Sequence, residues 1–194
     1  MSRDVSDIKK LTEKVRRYVE KSVSEKRYNH SVRTAEMCRK LCGLYELDGE
    51  LGYFAGISHD MCKNLEPEKL LRLARKDGNP VSELEKSKPA LLHGRAAAVK
   101  LQSDFDFHEP SVIEAVANHT FGRKNMCALA KVLYAADKIE PGREHVTDSY
   151  LERLFALPLD MLVKTVLEEN IDYLKRKGSA VSFESEEFLR SLER

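Results

Sequence analysis

Six scattered residues have the types to do chemistry together: His30, the adjacent pair His59 and Asp60, His93, His119 and Asp137. Four imidazoles and two carboxylates form the donor set that a pair of mid-row transition ions takes, whereas magnesium seldom uses so many histidines. Two such ions sharing a carboxylate can ionise a water near pH 7 and neutralise charge on a phosphoryl group, so the set points to a two-metal hydrolase. The His59-Asp60 dipeptide alone carries little weight; its setting carries more. It closes an apolar stretch, Leu51 to Ser58, and Asp137 closes another, Ala128 to Ala136. Polar groups at the ends of core-facing helices must find partners, because burying a lone charge is costly and metal coordination is one remedy. Taken singly, His93 or His119 equally fits a hydrogen-bonded structural histidine, and Asp137 a helix-end carboxylate.

The elements that must position these residues read as helices almost everywhere. Ile8, Leu11, Val15, Tyr18 and Val19 follow a 3.6-residue period and predict a first helix over roughly 7–23. Asn29 is the cap candidate for a second, to about Leu44, which places His30 in its first turn. Asp48 can cap a third helix, about 49–61, ending in His59-Asp60. Pro67 opens a fourth, to about 76, before Gly78-Asn79-Pro80. Further helices are predicted near 89–103 with His93, 110–119 ending near His119, 126–139 with Asp137, 146–156, 160–177 and from about 184. Ala180 to Phe183 reads as extended but is too short to make a sheet. The expected fold class is all-α, a compact helical bundle with short connections. Residues 1–23 form an N-terminal helix packing on the domain, 24–177 the domain itself, and 178–194 a C-terminal tail or helix.

Composition narrows the partners. With 33 Lys plus Arg against 32 Asp plus Glu, a net charge of +1 gives no bulk drive toward nucleic acid or an anionic membrane, so any phosphate recognition must be local. The first ten residues lack a signal-peptide core and no long apolar run follows, so a soluble, cytoplasmic protein is expected. Cys38, Cys42, Cys62 and Cys127 form no Cys-x-x-Cys pair and are expected to be reduced core thiols. His108 and His145 stand apart from the six and are expected at the surface.

The words around the six residues carry a resemblance. Arg27-Tyr28-Asn29-His30-Ser31-Val32-Arg33-Thr34-Ala35, Ala55-Gly56-Ile57-Ser58-His59-Asp60, Lys88-Pro89-Ala90-Leu91-Leu92-His93-Gly94, Asn118-His119-Thr120-Phe121-Gly122-Arg123 and Asp137-Lys138-Ile139-Glu140-Pro141-Gly142-Arg143 occur in that order. The order of His, His-Asp, His, His and Asp resembles the HD-domain superfamily of metal-dependent phosphohydrolases, and the words resemble its YqeK family. Phe121 departs from that family's usual second Thr, and Cys127 from its usual Ser. The resemblance implies a bundle of the HD-domain type and symmetrical cleavage of diadenosine tetraphosphate into two ADP. It also implies two transition-metal ions, with iron the choice and manganese, cobalt or zinc as alternatives. Asp60 would bridge them, with His30, His59 and Asp137 completing one site and His93 and His119 the other.

Cations near these positions in sequence are candidates for the phosphates. Lys63 follows Asp60 by three residues, Arg33 follows His30 by three, Arg123 follows His119 by four, and Arg143 lies just past Asp137. Lys63, as a point charge, is the candidate catalytic partner of Asp60, and it also fits a solvated helix-end charge. Arg33 fits either substrate contact or the orienting of a carboxylate. Arg123 and Arg143 lie in Gly-containing turns, where binding residues gather on rigid scaffolds. Thr120 completes the substrate-contact set, while Arg95, among Ala96 to Ala98, fits the surface equally well. Two other readings stay open: an HD phosphohydrolase acting on a nucleoside monophosphate or a guanosine polyphosphate, and a non-catalytic nucleotide-binding module. The expected partner is a small-molecule nucleotide, with no nucleic acid and no membrane, and a homodimer is left open.

Overall fold

The computed structural model describes residues 5–193, with side chains from residue 7 onward, so residues 1–4 of the N-terminal segment lie outside it. Among the described residues the chain is all-α, without a strand. Eleven helices follow in order: α1 (Val5–Ser22), α2 (Glu25–Leu44), α3 (Gly49–Ser58), α4 (Pro67–Ala74), α5 (Glu83–Ser87), α6 (His93–Phe105), α7 (Pro110–Asn118), α8 (Ala128–Ile139), α9 (Asp148–Phe155), α10 (Leu159–Arg176) and α11 (Phe183–Ser191). Single 3-10 turns cover Arg75–Asp77 and Pro89–Leu92. No described helix is long and apolar enough to cross a membrane.

Helix α3 is the hub. Gly52, Phe54, Ala55, Gly56, Ile57 and Ser58 are all buried, so the helix is covered on every side, as an all-round apolar helix must be. It packs on α1, α2, α7 and α8. The two glycines set how close α2 comes: a Cβ on Gly56 would stand 2.5 Å from the Ala35 Cα, and one on Gly52 2.5 Å from the Cys42 sulfur. Helices touching backbone to backbone leave the side chains beyond the contact a short gap to bridge, which is what draws His30 and His59 together.

Several helix ends follow local chemistry. The Asp48 carboxylate accepts the Glu50 and Leu51 N–H groups and opens α3 as expected. Pro67 and Pro110 occupy the first turns of α4 and α7, where a missing N–H is harmless. Three expectations need correction. Ser24, not Asn29, caps α2, so His30 sits in the second turn of that helix. The 89–103 helix starts as a 3-10 turn, Pro89–Leu92, that passes directly into α6 at His93, and α6 runs on to Phe105, where Asp106 turns into the left-handed region (φ 49°). α3 ends at Ser58, leaving His59 and Asp60 in the turns that follow. Ser182 is extended (φ −76°, ψ 151°) and its hydroxyl accepts the Ser185 N–H, capping α11, which takes in Phe183 as its first residue.

The short helix α5 has no counterpart in the sequence reading, although Ser82 and Glu85 close a reciprocal capping box at its start. It matters for Arg95, which is neither at the site nor free at the surface. Its guanidinium grips the Asp77 carboxylate at 2.7 and 2.9 Å and Glu85 at 3.1 Å, tying the loop between α4 and α5 to α6. Cys38, Cys42 and Cys62 are buried free thiols and Cys127 a half-buried one; burial holds Cys62 protonated, up to about 12.

Candidate metal centre

Helix ends deliver the six residues to one point. His30 comes from α2, His59 and Asp60 from the turn after α3, His93 from the first residue of α6, His119 from the end of α7 and Asp137 from the last turn of α8. All four histidine residues are at most 6% exposed, and Asp60 is 2% exposed. Three overlapping triads, each with ligand atoms within 4.8 Å of one another, are His30-His59-Asp60, His59-His119-Asp137 and Asp60-His93-His119.

The ring orientations are the informative part. The backbone oxygens of Gly56, Ala90 and Val116 stand 2.7, 2.7 and 2.8 Å from Nδ1 of His59, His93 and His119, each three residues earlier in the chain. His30 Nδ1 faces the Glu140 carboxylate at 3.2 Å. With every Nδ1–H donated outward to an acceptor, every Nε2 lone pair is turned inward, the tautomer that a metal-ligating imidazole needs. His59 Nε2 is buried with no hydrogen-bond partner, an expensive state for a nitrogen lone pair unless something else takes it, while His30 Nε2 faces Asp137 Oδ1 at 3.0 Å. The donor set therefore fits divalent transition metal.

Asp60 stands across the cluster. Its Oδ1 is 3.0 Å from His93 Nε2 and 3.8 Å from His119 Nε2, while its Oδ2 is 3.7 Å from His59 Nε2 and 3.9 Å from His30 Nε2. Asp137 Oδ1 is 3.0 Å from His30 Nε2 and 3.7 Å from His59 Nε2. Asp60 thus comes within 4 Å of all four rings, whereas Asp137 comes that close to His30 and His59 and lies within 4.8 Å of His119.

Protonation follows from burial and neighbours. Burial pushes His59 down to about 3 and lowers His93, keeping both rings neutral. His30 moves the other way: burial would lower it, but its contacts with Asp137 and Glu140 outweigh that. Burial alone would raise Asp60, yet the facing imidazoles hold it well below the carboxylate range. Asp137 is held low in the same sense, chiefly by the Lys138 ammonium. Ionised carboxylates and neutral imidazoles are the ligating forms, and Asp60, Asp137, His59 and His93 are held in them.

The cations sort themselves by contact. Lys63 Nζ lies 3.1 Å from His93 Nε2 and 3.9 Å from Asp60 Oδ1, and burial lowers its ammonium. Arg143 donates to the Asp137 backbone oxygen at 2.6 Å and to Oδ1 at 2.9 Å. Arg33 orients a carboxylate: its Nε donates to Glu140 Oε2 at 2.5 Å. The Thr120 hydroxyl, next to His119, is buried with no hydrogen-bond partner. Arg123 is exposed on the loop after it, and His108 and His145 are exposed away from the cluster.

Three contacting residues were not singled out from sequence. Arg27 donates to Asp60 Oδ2 at 2.7 Å from the first turn of α2, with about a third of its side chain open to solvent. Glu140, 2% exposed, receives His30, Arg33 and the Gly142 N–H together, which holds its carboxyl down to about 2 against burial. Lys138 donates to the His119 backbone oxygen at 3.1 Å and to Asp137 Oδ2 at 3.4 Å. Arg27, Lys138 and Glu140 all stand inside the motif words, so the signal was present; what was missing was a partner far along the chain.

Comparisons with known proteins fall on this same region. The HD domain family matches residues 27–142, which hold all six donors. The chain is 35% identical over 133 residues to the symmetrical bis(5'-nucleosyl)-tetraphosphatase of Staphylococcus aureus, covering 68% of this chain and 67% of that one. It is 26% identical over 163 residues to the enzyme of the same name from Bacillus subtilis, covering 84% and 87%. The crystal structure of an HD superfamily hydrolase from Clostridium acetobutylicum, described as involved in NAD metabolism, superposes with a TM-score of 0.86 at 29% identity over 93% of this chain and 96% of that one. The chain therefore belongs to the HD-domain family, in the branch that holds the symmetrical bis(5'-nucleosyl)-tetraphosphatases.

Proposed function

We propose that the chain hydrolyses bis(5'-nucleosyl) tetraphosphates symmetrically, splitting diadenosine tetraphosphate into two ADP at a pair of divalent transition ions, iron by preference and manganese, cobalt or zinc otherwise. The observation that carries this is the ring of four imidazoles whose Nδ1 atoms are all engaged outward and whose Nε2 atoms close on Asp60 and Asp137. The relatives' names supply the substrate class.

Asp60 would bridge, since Oδ1 faces His93 and His119 while Oδ2 faces His30 and His59. Asp137 would serve the half held by His30 and His59. When bound, the ions would supply a nucleophile from water at neutral pH and neutralise phosphoryl charge. The chain's own residues would do the rest. Lys63, beside His93 and Asp60, is placed to meet the charge on the departing diphosphate, and Arg143, on Asp137, to grip the other. Arg33 steadies Glu140 and with it His30, and its exposed half remains open to phosphate. The Thr120 hydroxyl and the Arg123 guanidinium stand on one loop and would contact the substrate from that side.

The deciding measurement is the product set. Diadenosine tetraphosphate should give only ADP, and reaction in oxygen-18 water should place label on the β-phosphate of one of the two. AMP with ATP, or turnover confined to mononucleotides, would refute the assignment in favour of another nucleotide phosphohydrolase.

A second test reads the support beneath one ligand. Glu140→Gln keeps the shape beside His30 but removes the charge that holds the His30 N–H, Arg33 and Gly142 together. Outer partners of this kind are worth roughly 10- to 100-fold in metal affinity, and that loss is expected here by calorimetric titration. Unchanged affinity would leave Glu140 as a packing residue.

A further inference from the structure

The C-terminal helix α11 lies outside the six-residue cluster, yet it closes on the loop that carries His119. Phe188 is fully buried, and its ring lies directly over Gly122, whose φ of +74° turns the chain where a Cβ would stand 2.2 Å from Phe188 Cδ1. The Ser185 hydroxyl, one turn earlier on the same face, donates to the Phe121 backbone oxygen at 2.7 Å. Two independent contacts from one helix thus hold Phe121 and Gly122, the second and third residues after His119.

A second route leads from the same ring. Phe188 meets the buried Tyr134 ring edge to face at 5.4 Å, and the Lys138 ammonium sits 3.8 Å from the centroid of that Tyr134 ring. Lys138 in turn donates to the His119 backbone oxygen at 3.1 Å. The contacts close a circuit: Phe188 to Gly122, back along the chain to His119, across to Lys138, through Tyr134 and home to Phe188. His119 Nε2, at one side of this circuit, stands 2.9 Å from His93 Nε2 and 3.8 Å from Asp60 Oδ1.

We propose that α11 is a clasp for the His119 loop, with Phe188 and Ser185 as positioning residues that hold His119 within reach of the ion shared with His93 and Asp60. The proposal rests on the two-ion reading of the cluster. It assigns α11 to the half built on His93 and His119: His30 and His59 come from α2 and the end of α3, and Asp137, although it touches Lys138 at 3.4 Å, is also held by Arg143 at 2.6 and 2.9 Å, so the half these three form should survive when the clasp is opened. Ligand geometry tolerates only about half an ångström of error, so a loop that loses its seat loses its ion before the fold is lost.

The test uses the full chain, loaded with manganese or iron and read by elemental analysis and calorimetric titration. The metal-free proteins are melted in parallel. Wild type is expected to hold two equivalents. Phe188→Ala should keep the first and bind the second roughly 10- to 100-fold more weakly. Phe188→Leu, which still fills the seat over Gly122, should restore it, and Ser185→Ala should weaken the second equivalent without opening a cavity. Val15→Ala, a buried truncation on α1, which packs chiefly on α3, controls for stability alone and should keep both ions even as its melting temperature falls. Wild type without metal would sink the two-ion reading itself. Two ions in wild type with unchanged second-site affinity in Phe188→Ala overturns the clasp. Should Phe188→Ala fail to fold, the same result in Ser185→Ala overturns it.

Discussion

Asp60→Asn is expected to lower turnover by at least about 10³-fold while leaving the fold in place, because ions bridged at a phosphoryl centre supply several kcal/mol and each 1.36 kcal/mol is tenfold. The reasoning is geometric. Asp60 turns a different oxygen to each half of the cluster within 4 Å, Oδ1 toward His93 and His119 and Oδ2 toward His30 and His59, while Asp137 comes that close to His30 and His59 alone. Asparagine keeps the size but offers one oxygen, so a bridge becomes at best a single contact. Arg27 also loses its charged partner at Oδ2, and a guanidinium about a third open to solvent can turn to water. Elemental analysis should accordingly show fewer than two equivalents. Full activity with two ions bound would exclude Asp60 as the bridge and leave Asp137 as the only carboxylate able to share.

How much of this was legible in the sequence depended on range. The six donors announced themselves by type and order, and each does arrive at the cluster; for His59, Asp60, His119 and Asp137 the reason is that a polar residue ending an apolar helix has few other fates. Asp48, Pro67 and Pro110 marked their helix starts because each acts within its own first turn. Asn29 misled for the opposite reason: the exposed first turn of α2 shows no apolar period before Val32, so Ser24 and Asn29 were equally good caps. The turn before His93 is 3-10 because Pro89 fits such a turn as readily as an α-helical start. Arg95 read as surface because its acidic partners, Asp77 and Glu85, approach only once the loop folds back. Arg27 and Glu140 escaped on the same ground: the distances that reveal them, to Asp60 and His30, join positions 33 and 110 residues apart.

Gly56→Ala is expected to be the most damaging single methyl in the protein. The added carbon would stand 2.5 Å from the Ala35 Cα, 2.8 Å from the Ala35 nitrogen and 3.1 Å from the Thr34 carbonyl carbon. Those are backbone atoms of α2, so no rotamer can yield and the two helices must part. Overpacking of this kind costs about 1–3 kcal/mol and sometimes more, which for a domain of this size lowers the melting temperature by roughly 2–12 °C. The site should suffer beyond that, because the same contact sets the gap between His30 on α2 and His59 just past α3, whose ring centroids are 5.2 Å apart. Gly56 also supplies the backbone oxygen that orients the His59 ring at 2.7 Å. Metal affinity should therefore fall at temperatures where the variant is still folded. Gly43→Ala provides the contrast within α2: nothing lies within 4 Å of its new carbon, and replacing a helical glycine should stabilise by about 0.5–1 kcal/mol. A Gly56→Ala protein that melts and binds metal like wild type would show that the close approach of α2 and α3 does not set the spacing of the histidines.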